Sequence, residues 1–382
     1  MSNLAQNLSQ YWIRIQGSLF PWLEEELGPL TKNQQKLITI LEVIRIEDFV
    51  FPSSWMGRPP KSRKAITRAF VAKSVYNLNT TRDLINYLTG DVSLRRICGF
   101  ETIREMPSES TFSRAFDEFS KTKLPQRVHE ALIKKVCKNN LIQHISNDST
   151  AIVAREKPKI KQLEKDNHKT QKKKRGRPRK EDIREPKKPS RLDKQPSMNL
   201  DDMLEDLPLP CNIGCKKNSH GYIEKWTGYK LHIASADGGI PLGAILTSAS
   251  MHDSQAAIPL MALTSQRAIN LYDLFDAAYY DKRIENYSKA LNHVPIIDIN
   301  PRRDSTLKKE LERETKAQKF IHWKTPKNKR YNERSTVERV NARLKDEFGG
   351  RNIRVKGNVK VMCHLMFGLL ALTADQLMRM LS

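Results

Sequence analysis

Near the C-terminus, Tyr331, Arg334, Glu338 and Lys345 stand at offsets 0, 3, 7 and 14. A helix turns once in about 3.6 residues, so these offsets fall on one face. That face would carry one carboxylate flanked by two cations and a phenol. A buried apolar stripe does not look like this, and a solvated face has no need of tyrosine. A metal-binding carboxylate beside phosphate-binding cations does. Two more acids are placed suggestively: Asp148 lies in the strand-like run from Leu141 to Ala154, and Asp276 ends another, Asn270 to Asp276. An acid in an apolar strand is costly unless it is paired or holds a metal. Two such acids and a helical Glu could together hold a pair of Mg2+ ions, which take oxygen ligands. Two ions about 3.5–4 Å apart stabilise both the attacking and the leaving oxygen of a phosphoryl displacement. Singly, each acid has an ordinary reading, as a turn former, a helix cap or half of an ion pair with Arg334 or Arg343. The chemistry rests on their joint placement.

The rest of the chain must position these groups and supply a partner. It has 382 residues, enough for two or three domains, with 38% hydrophobic residues and a mean hydropathy of −0.60. The net charge is +24 and the pI about 9.8, which suits a polyanionic partner bound through counterion release. Five scattered cysteines argue against a disulfide framework and for a reducing compartment. No basic start followed by an apolar run marks a signal peptide. The apolar stretch from Val361 to Ala374 is too short to span a bilayer and contains His364. The expectation is a soluble cytoplasmic protein with no membrane partner.

From Asn3 to about Val50 apolar residues recur every three or four positions, a helical pattern. A basic turn, Gly57 to Lys64, leads into a helix from Ala65 to Tyr76. Thr80 or Thr81 can cap a helix through Leu88, Ser93 a turn through Cys98, and a helix from Thr111 carries Phe112, Phe116 and Phe119 on one side. Short helices with intervening Arg and Lys suit a DNA-binding region or a plain helical packing domain. After the first strand the composition breaks. Residues 155–194 hold 18 Lys/Arg against 7 Asp/Glu and almost nothing apolar, which predicts disorder. Order resumes at Gly221. Strands are expected at Gly228–Ser235 and Ile240–Ser248, joined by the turn Asp237-Gly238-Gly239, then at Asn270–Asp276 and Val294–Ile299. Helices are expected from Ser254 and Asp281, a basic loop from Pro301 to Lys329, and a last apolar helix from Asn358 to Leu381. This order makes an α/β mixed sheet flanked by helices.

Tyr-x2-Arg-x3-Glu-x6-Lys, complete here as Tyr331, Arg334, Glu338 and Lys345, resembles the C-terminal signature of bacterial insertion-sequence transposases with an acid triad (DDE) and a ribonuclease-H-like core. Asn147-Asp148-Ser149-Thr150 and Met251-His252-Asp253-Ser254 look like the same group. Phe275-Asp276-Ala277-Ala278-Tyr279-Tyr280-Asp281 resembles its second-acid motif, with Ala278 where the family usually has Gly. Leu94 to Phe100 and Pro107 to Ser113 look like its helical N-terminal region. The resemblance covers most of Lys61 to Leu372 apart from the basic insert. It implies a catalytic, metal-holding triad of Asp148, Asp276 and Glu338, with Mg2+ as the ion and Mn2+ as its substitute. It implies a helical N-terminal domain over 1–138 and a ribonuclease-H-like catalytic domain over 139–382, interrupted by a basic, largely disordered insert over 155–220. Tyr331, Arg334 and Lys345 would contact DNA. The partner would be double-stranded DNA, both element ends and target, bound by a homodimer at the bacterial nucleoid. The activity would be metal-dependent cleavage of an insertion element's ends and joining of the 3′-hydroxyl to target DNA.

Asp253, Asp273 and Asp281 compete for the second acid. Asp273 should face away from Asp276, three residues on in a strand, and Asp281 should cap the next helix. Lys174-Arg175-Gly176-Arg177-Pro178-Arg179-Lys180 resembles an AT-hook, able to lay Arg175, Arg177 and Arg179 along a narrow A·T-rich minor groove, or it is a polybasic linker. Cys211 and Cys215 with His220 are half of a zinc site at most, and loop cysteines are the better reading. His252 beside Asp253 lacks a nucleophile motif and reads as a capping residue. Two rival functions stand beside transposition: a non-catalytic DNA-binding protein of transposase origin and a metal-dependent nuclease.

Overall fold

A computed structural model describes residues 3–51, 60–137, 140–158, 189–217, 221–302, 304–320 and 325–380. The chain opens with eight helices: α1 (Asn3–Arg14), α2 (Phe20–Leu27), α3 (Lys32–Ile44), α4 (Arg63–Val75), α5 (Thr81–Gly90), α6 (Val92–Ile97), α7 (Glu109–Lys121) and α8 (Leu124–Cys137). Polar caps set their starts. Thr31 with Gln34, and Thr80 with Asp83, form reciprocal capping boxes that satisfy free backbone N–H groups. At α6 the cap is Asp91, whose carboxylate accepts from Leu94 N at 2.8 Å, and not Ser93. Ser93 lies inside the helix and its hydroxyl donates to Leu27 O.

One six-stranded sheet follows, built from β1 (Leu141–Val153), β2 (Asn212–Lys217), β3 (Ile223–Ala236), β4 (Ile240–Ser248), β5 (Ile269–Phe275) and β6 (Val294–Ile297). β1 is central. It pairs antiparallel with β3 and parallel with β5, and β5 pairs parallel with β6. β3 is long enough to take two partners on its outer edge, β2 at its start and β4 at its end. The β3–β4 hairpin turns at Asp237–Gly239, with Gly238 and Gly239 both at positive φ. This is the mixed sheet of a ribonuclease-H-like fold.

Helices cover both faces. Asp273 and Phe275 on β5 point toward α11 (Ser254–Ser265) and α12 (Lys282–Ala290), where Phe275 packs with Ile258, Met261 and Ile284. Ser146 and Asp148 on β1 point toward α15 (Ser335–Asp346) and the turn before it. The last helix, α16 (Asn358–Arg379), is long and apolar enough to cross a bilayer, more than the Val361–Ala374 stretch suggests. Yet 83% of its most apolar window is buried, because α3, α4, α7 and α8 wrap it against β4. Phe367 on α16 joins Phe70, Phe112, Phe116 and Phe119 in one aromatic cluster. The N-terminal helices and the sheet therefore share a continuous core.

Two expectations fail where apolar periodicity is absent. The stretch expected as a loop from Pro301 to Lys329 contains α13 (Ser305–Phe320) and α14 (Pro326–Tyr331). α13 is largely exposed, so no apolar stripe announces it. Its Lys, Glu, Leu, Arg, Ala and Gln favour helix intrinsically, and Asp304 caps it. The segment expected as a disordered insert over 155–220 also carries order in its second half: α9 (Arg191–Lys194), α10 (Leu200–Glu205) and β2. Single apolar side chains, Leu192 and Met203, anchor α9 and α10 against α11, and pairing with β3 holds β2.

Gly368 lets α16 approach the end of α15, because a Cβ there would sit 2.4 Å from Phe348 O, a backbone atom. Gly368→Ala should therefore destabilise the protein by about 1–3 kcal/mol. Thermal denaturation checks this, and an unchanged melting temperature would contradict the close approach.

Candidate active site

Two adjacent parallel strands supply the first two acids. Ser146 on β1 is level with Leu274 on β5, so two residues further Asp148 comes level with Asp276. Neighbouring strands lie about 4.8 Å apart, and side chains level across a parallel pair share a face. Asp276 sits just past β5 and accepts from Ala278 N at 2.9 Å, capping a single turn, Ala277–Tyr279. Asp148 accepts one long hydrogen bond from Asn341 Nδ2 of α15, at 3.4 Å. Burial dominates its titration and pushes its carboxyl up to about 6, and the charges of Asp276 and Glu338 add to the rise. Asp276 is also raised, again first by burial.

The signature segment is not one unbroken helix. α14 ends at Tyr331, a tight turn spans Asn332–Arg334, and α15 begins at Ser335. Val337, Val340 and Leu344 bury the inner face of α15, while Glu338 in its first turn has a side chain 53% exposed. Arg334 Nη2 donates to Glu338 Oε1 at 2.6 Å, and the same guanidinium lies 5.7 Å from the Tyr331 ring centre. Burial pushes the Tyr331 phenol up to about 12, with Asp298 and Asp276 adding to the rise. Burial lowers the Lys345 ammonium, as do the nearby cations Arg351 and Lys216; Asp346 and Asp148 oppose this. All four signature residues thus border the carboxylates. Among the described residues, however, no three acidic, His or Cys side chains converge closely enough to hold a metal as they stand. Arg334 holds the Glu338 carboxylate aside.

The competing acids separate. Asp273 is buried on the opposite face, accepting from Ser288, Asn270 and His293. Asp281 caps α12 and pairs with Arg283. Asp253 lies nearer the site, raising Asp276 by its charge, but Lys230 Nζ neutralises it at 2.9 Å. Sequence reasoning missed Asp298, which follows β6 as Asp276 follows β5 and raises Asp276 in turn. Its position after the buried pair Ile296 and Ile297 was the available signal. Tyr279 was also missed: its fully buried hydroxyl faces Asp148, Asp253 and Asp276. His252 shares a hydrogen bond with Ser254 at the start of α11, a local role. Cys211 is buried and Cys215 exposed, so they do not converge, and His220 lies outside the described residues. Arg175, Arg177 and Arg179 lie outside them as well.

A ribonuclease-H-like sheet with carboxylates at the ends of its central parallel strands defines a class of nucleic-acid phosphoryl-transfer proteins. Family comparison is more specific. Residues 211–374 match the Transposase DDE domain, and residues 25–118 match the Transposase domain (DUF772). Together these span well over half the chain, which belongs to the DDE transposases of insertion sequences. No curated protein and no solved structure gives a significant match. The DDE match takes in Asp276 and Glu338 but begins after β1; Asp148 joins them through strand pairing.

An acid with a folded-state pKa above its unfolded value destabilises the fold wherever it is ionised. For Asp148 that penalty is absent below about pH 4, grows toward pH 6 and is complete above it. Asp148→Asn should therefore stabilise the protein at pH 7.5 in metal-free buffer by on the order of 1–3 kcal/mol, seen as a higher melting temperature, with the gain shrinking toward pH 4. A loss of stability at pH 7.5 would contradict the desolvated carboxylate.

Proposed function

We propose that this DNA transposase cleaves the ends of its element and joins them to target DNA through Asp148, Asp276 and Glu338. The observation that carries this reading is the level, same-face placement of Asp148 and Asp276 on adjacent parallel strands beside α15. DDE domains generally depend on divalent metal. The donor set fits Mg2+ or Mn2+: it offers carboxylate oxygens only, and at the half-buried Asp148 and Asp276 a cation would reverse the raised proton affinity. When bound, the metal would supply Lewis-acid polarisation of the phosphate and activation of the attacking oxygen.

The protein's own groups do the rest. Glu338 joins the other acids by leaving Arg334, and an exposed i,i+4 ion pair of this kind is worth only about 0.3–0.5 kcal/mol. Arg334 is then free for a phosphate. Lys345, two turns along the same helix, holds a phosphate on the Asp148 side, and the Tyr331 phenol orients a backbone oxygen. In the first step a water oxygen bonds to phosphorus and the bond to the element's 3′ oxygen breaks, leaving a 3′-hydroxyl. In the second that hydroxyl oxygen bonds to a target phosphorus, and the target's own 3′ oxygen leaves with a proton. No covalent protein intermediate is required. Residues 1–138 would help hold the element end, 139–382 would perform the chemistry, and Arg175, Arg177 and Arg179 would add minor-groove affinity. The active form would be a homodimer on nucleoid DNA in the cytoplasm.

The test is incubation with DNA from the flanks of its own gene, a supercoiled target and Mg2+. Asp148→Asn, Asp276→Asn and Glu338→Gln should each abolish cleavage and joining while DNA binding persists. Cleavage by all three variants would overturn the assignment. Cleavage without joining, even of pre-cut ends, would favour the nuclease reading. Lys345→Ala should lose joining at limiting DNA, equivalent to about 1–3 kcal/mol, and recover partly at high DNA concentration. Full activity at limiting DNA would reduce Lys345 to a solvated helix position.

A further inference from the structure

Away from the carboxylates, a cleft of about 680 Å³ opens between the N-terminal helices and the segment joining α15 to α16. Six cations line it: Lys73 and Arg82 from the helical region, Arg155 just past β1, and Arg354, Lys356 and Lys360. Only two acids line it, and both are occupied. Asp83 accepts from Thr80 N in its capping box, and Glu109 pairs with Arg82. Lys360 pairs with Asp117. Among the described residues, no hydrogen bond or ion pair engages the side chains of Lys73, Arg155, Arg354 or Lys356.

Lys73 is the unusual member. It sits in the last turn of α4 and is only 7% exposed. Burial lowers its ammonium to about 8, and the Asp83 charge offsets this only in part. His364 lines the same cleft and offers no negative charge; burial and the Lys73 charge hold it neutral. A buried ammonium without a hydrogen-bonded counterion costs several kcal/mol. Here it faces a cavity, where an anion can reach it. Arg155, Arg354 and Lys356 are exposed and would carry such an anion's neighbours along a chain of phosphates. Arg155 is seven residues beyond Asp148, at most about 25 Å by extended chain. That is less than one turn of duplex, about 34 Å.

We infer that this cleft is a second DNA site, which clamps a backbone phosphate on Lys73 and whose Arg155 lies within one helical turn of Asp148. The inference rests on the protein's action on DNA, and its test separates the two. Binding of a 40-base-pair duplex by the full chain is measured against salt without divalent metal, for wild type, Lys73→Met, Lys73→Arg and the double variant Arg354→Ala with Lys356→Ala. Lys73→Met should weaken binding about tenfold and lower the slope of log affinity against log salt by about 0.9. Its melting temperature should equal or exceed wild type, because an uncompensated buried charge is removed, so misfolding cannot explain the loss. Lys73→Arg should keep the slope, and the double variant should lower it further. A stable Lys73→Met that binds with wild-type slope would overturn the clamp while leaving the transposase reading intact. A wild-type chain that binds no duplex would undermine that reading itself, and the clamp with it. Stabilisation of wild type by inorganic phosphate, lost in Lys73→Met with duplex binding unchanged, would make this a small-anion site and overturn the clamp.

Discussion

The parallel pairing of β1 with β5 is the constraint on which the site depends. Backbone hydrogen bonds fix the register, and the register sets two ionisable carboxylates side by side in a half-buried place. Both stand at a cost: desolvation raises their proton affinity first, and nearby acids add to it, Asp276 and Glu338 at Asp148, Asp253 and Asp298 at Asp276. A slip of one residue would turn Asp148 toward α11 and α12 and dissolve the arrangement. The strain is local, and the surrounding sheet, buried on both faces, holds it in place.

That stability comes from a core that ignores the order of the chain. α16, the last helix, is the centre around which the first helices fold, with Phe367 stacked among phenylalanines contributed by α4 and α7. The same helix packs on β4 and, through Gly368, on the end of α15. The element carrying Glu338 and Lys345 is thereby braced by the N-terminal region. In the proposed function, helices that hold the element end and a sheet that does the chemistry would share one apolar core, with no flexible joint between them.

Charge is arranged in two zones. At the strand ends acids gather, with Asp298 and Asp253 beside Asp148 and Asp276, and Arg334 and Lys230 offset only part of this. Around them cations prevail, at Lys345 with Lys216 and Arg351, and in the cleft about Lys73. A negative centre that attracts cations, set in a positive surround that attracts a polyanion, is what metal-assisted chemistry on DNA requires.

Much of this was legible in the residues. Short apolar runs marked β1, β4, β5, β6 and most of β3 because buried strands leave that pattern, and polar residues before helical runs marked most starts because free N–H groups need acceptors. The spacing of Tyr331, Arg334, Glu338 and Lys345 named the family group because it is local and survives without knowledge of the fold. Helix α13 escaped because a helix exposed on all sides has no apolar period, α9 and α10 because each is anchored by one or two side chains, and β2 because backbone pairing with β3 holds it. Asp298, Tyr279 and the buried Lys73 could not be singled out, since their significance lies in what surrounds them. The sequence by itself determined most of the helices and strands and which acids were candidates, because those follow from local periodicity and chemistry. Tertiary structure alone decided that Asp148 stands level with Asp276 and that α15 lies beside them. Strand register and side-chain pairing join residues more than a hundred positions apart, and no local pattern encodes them.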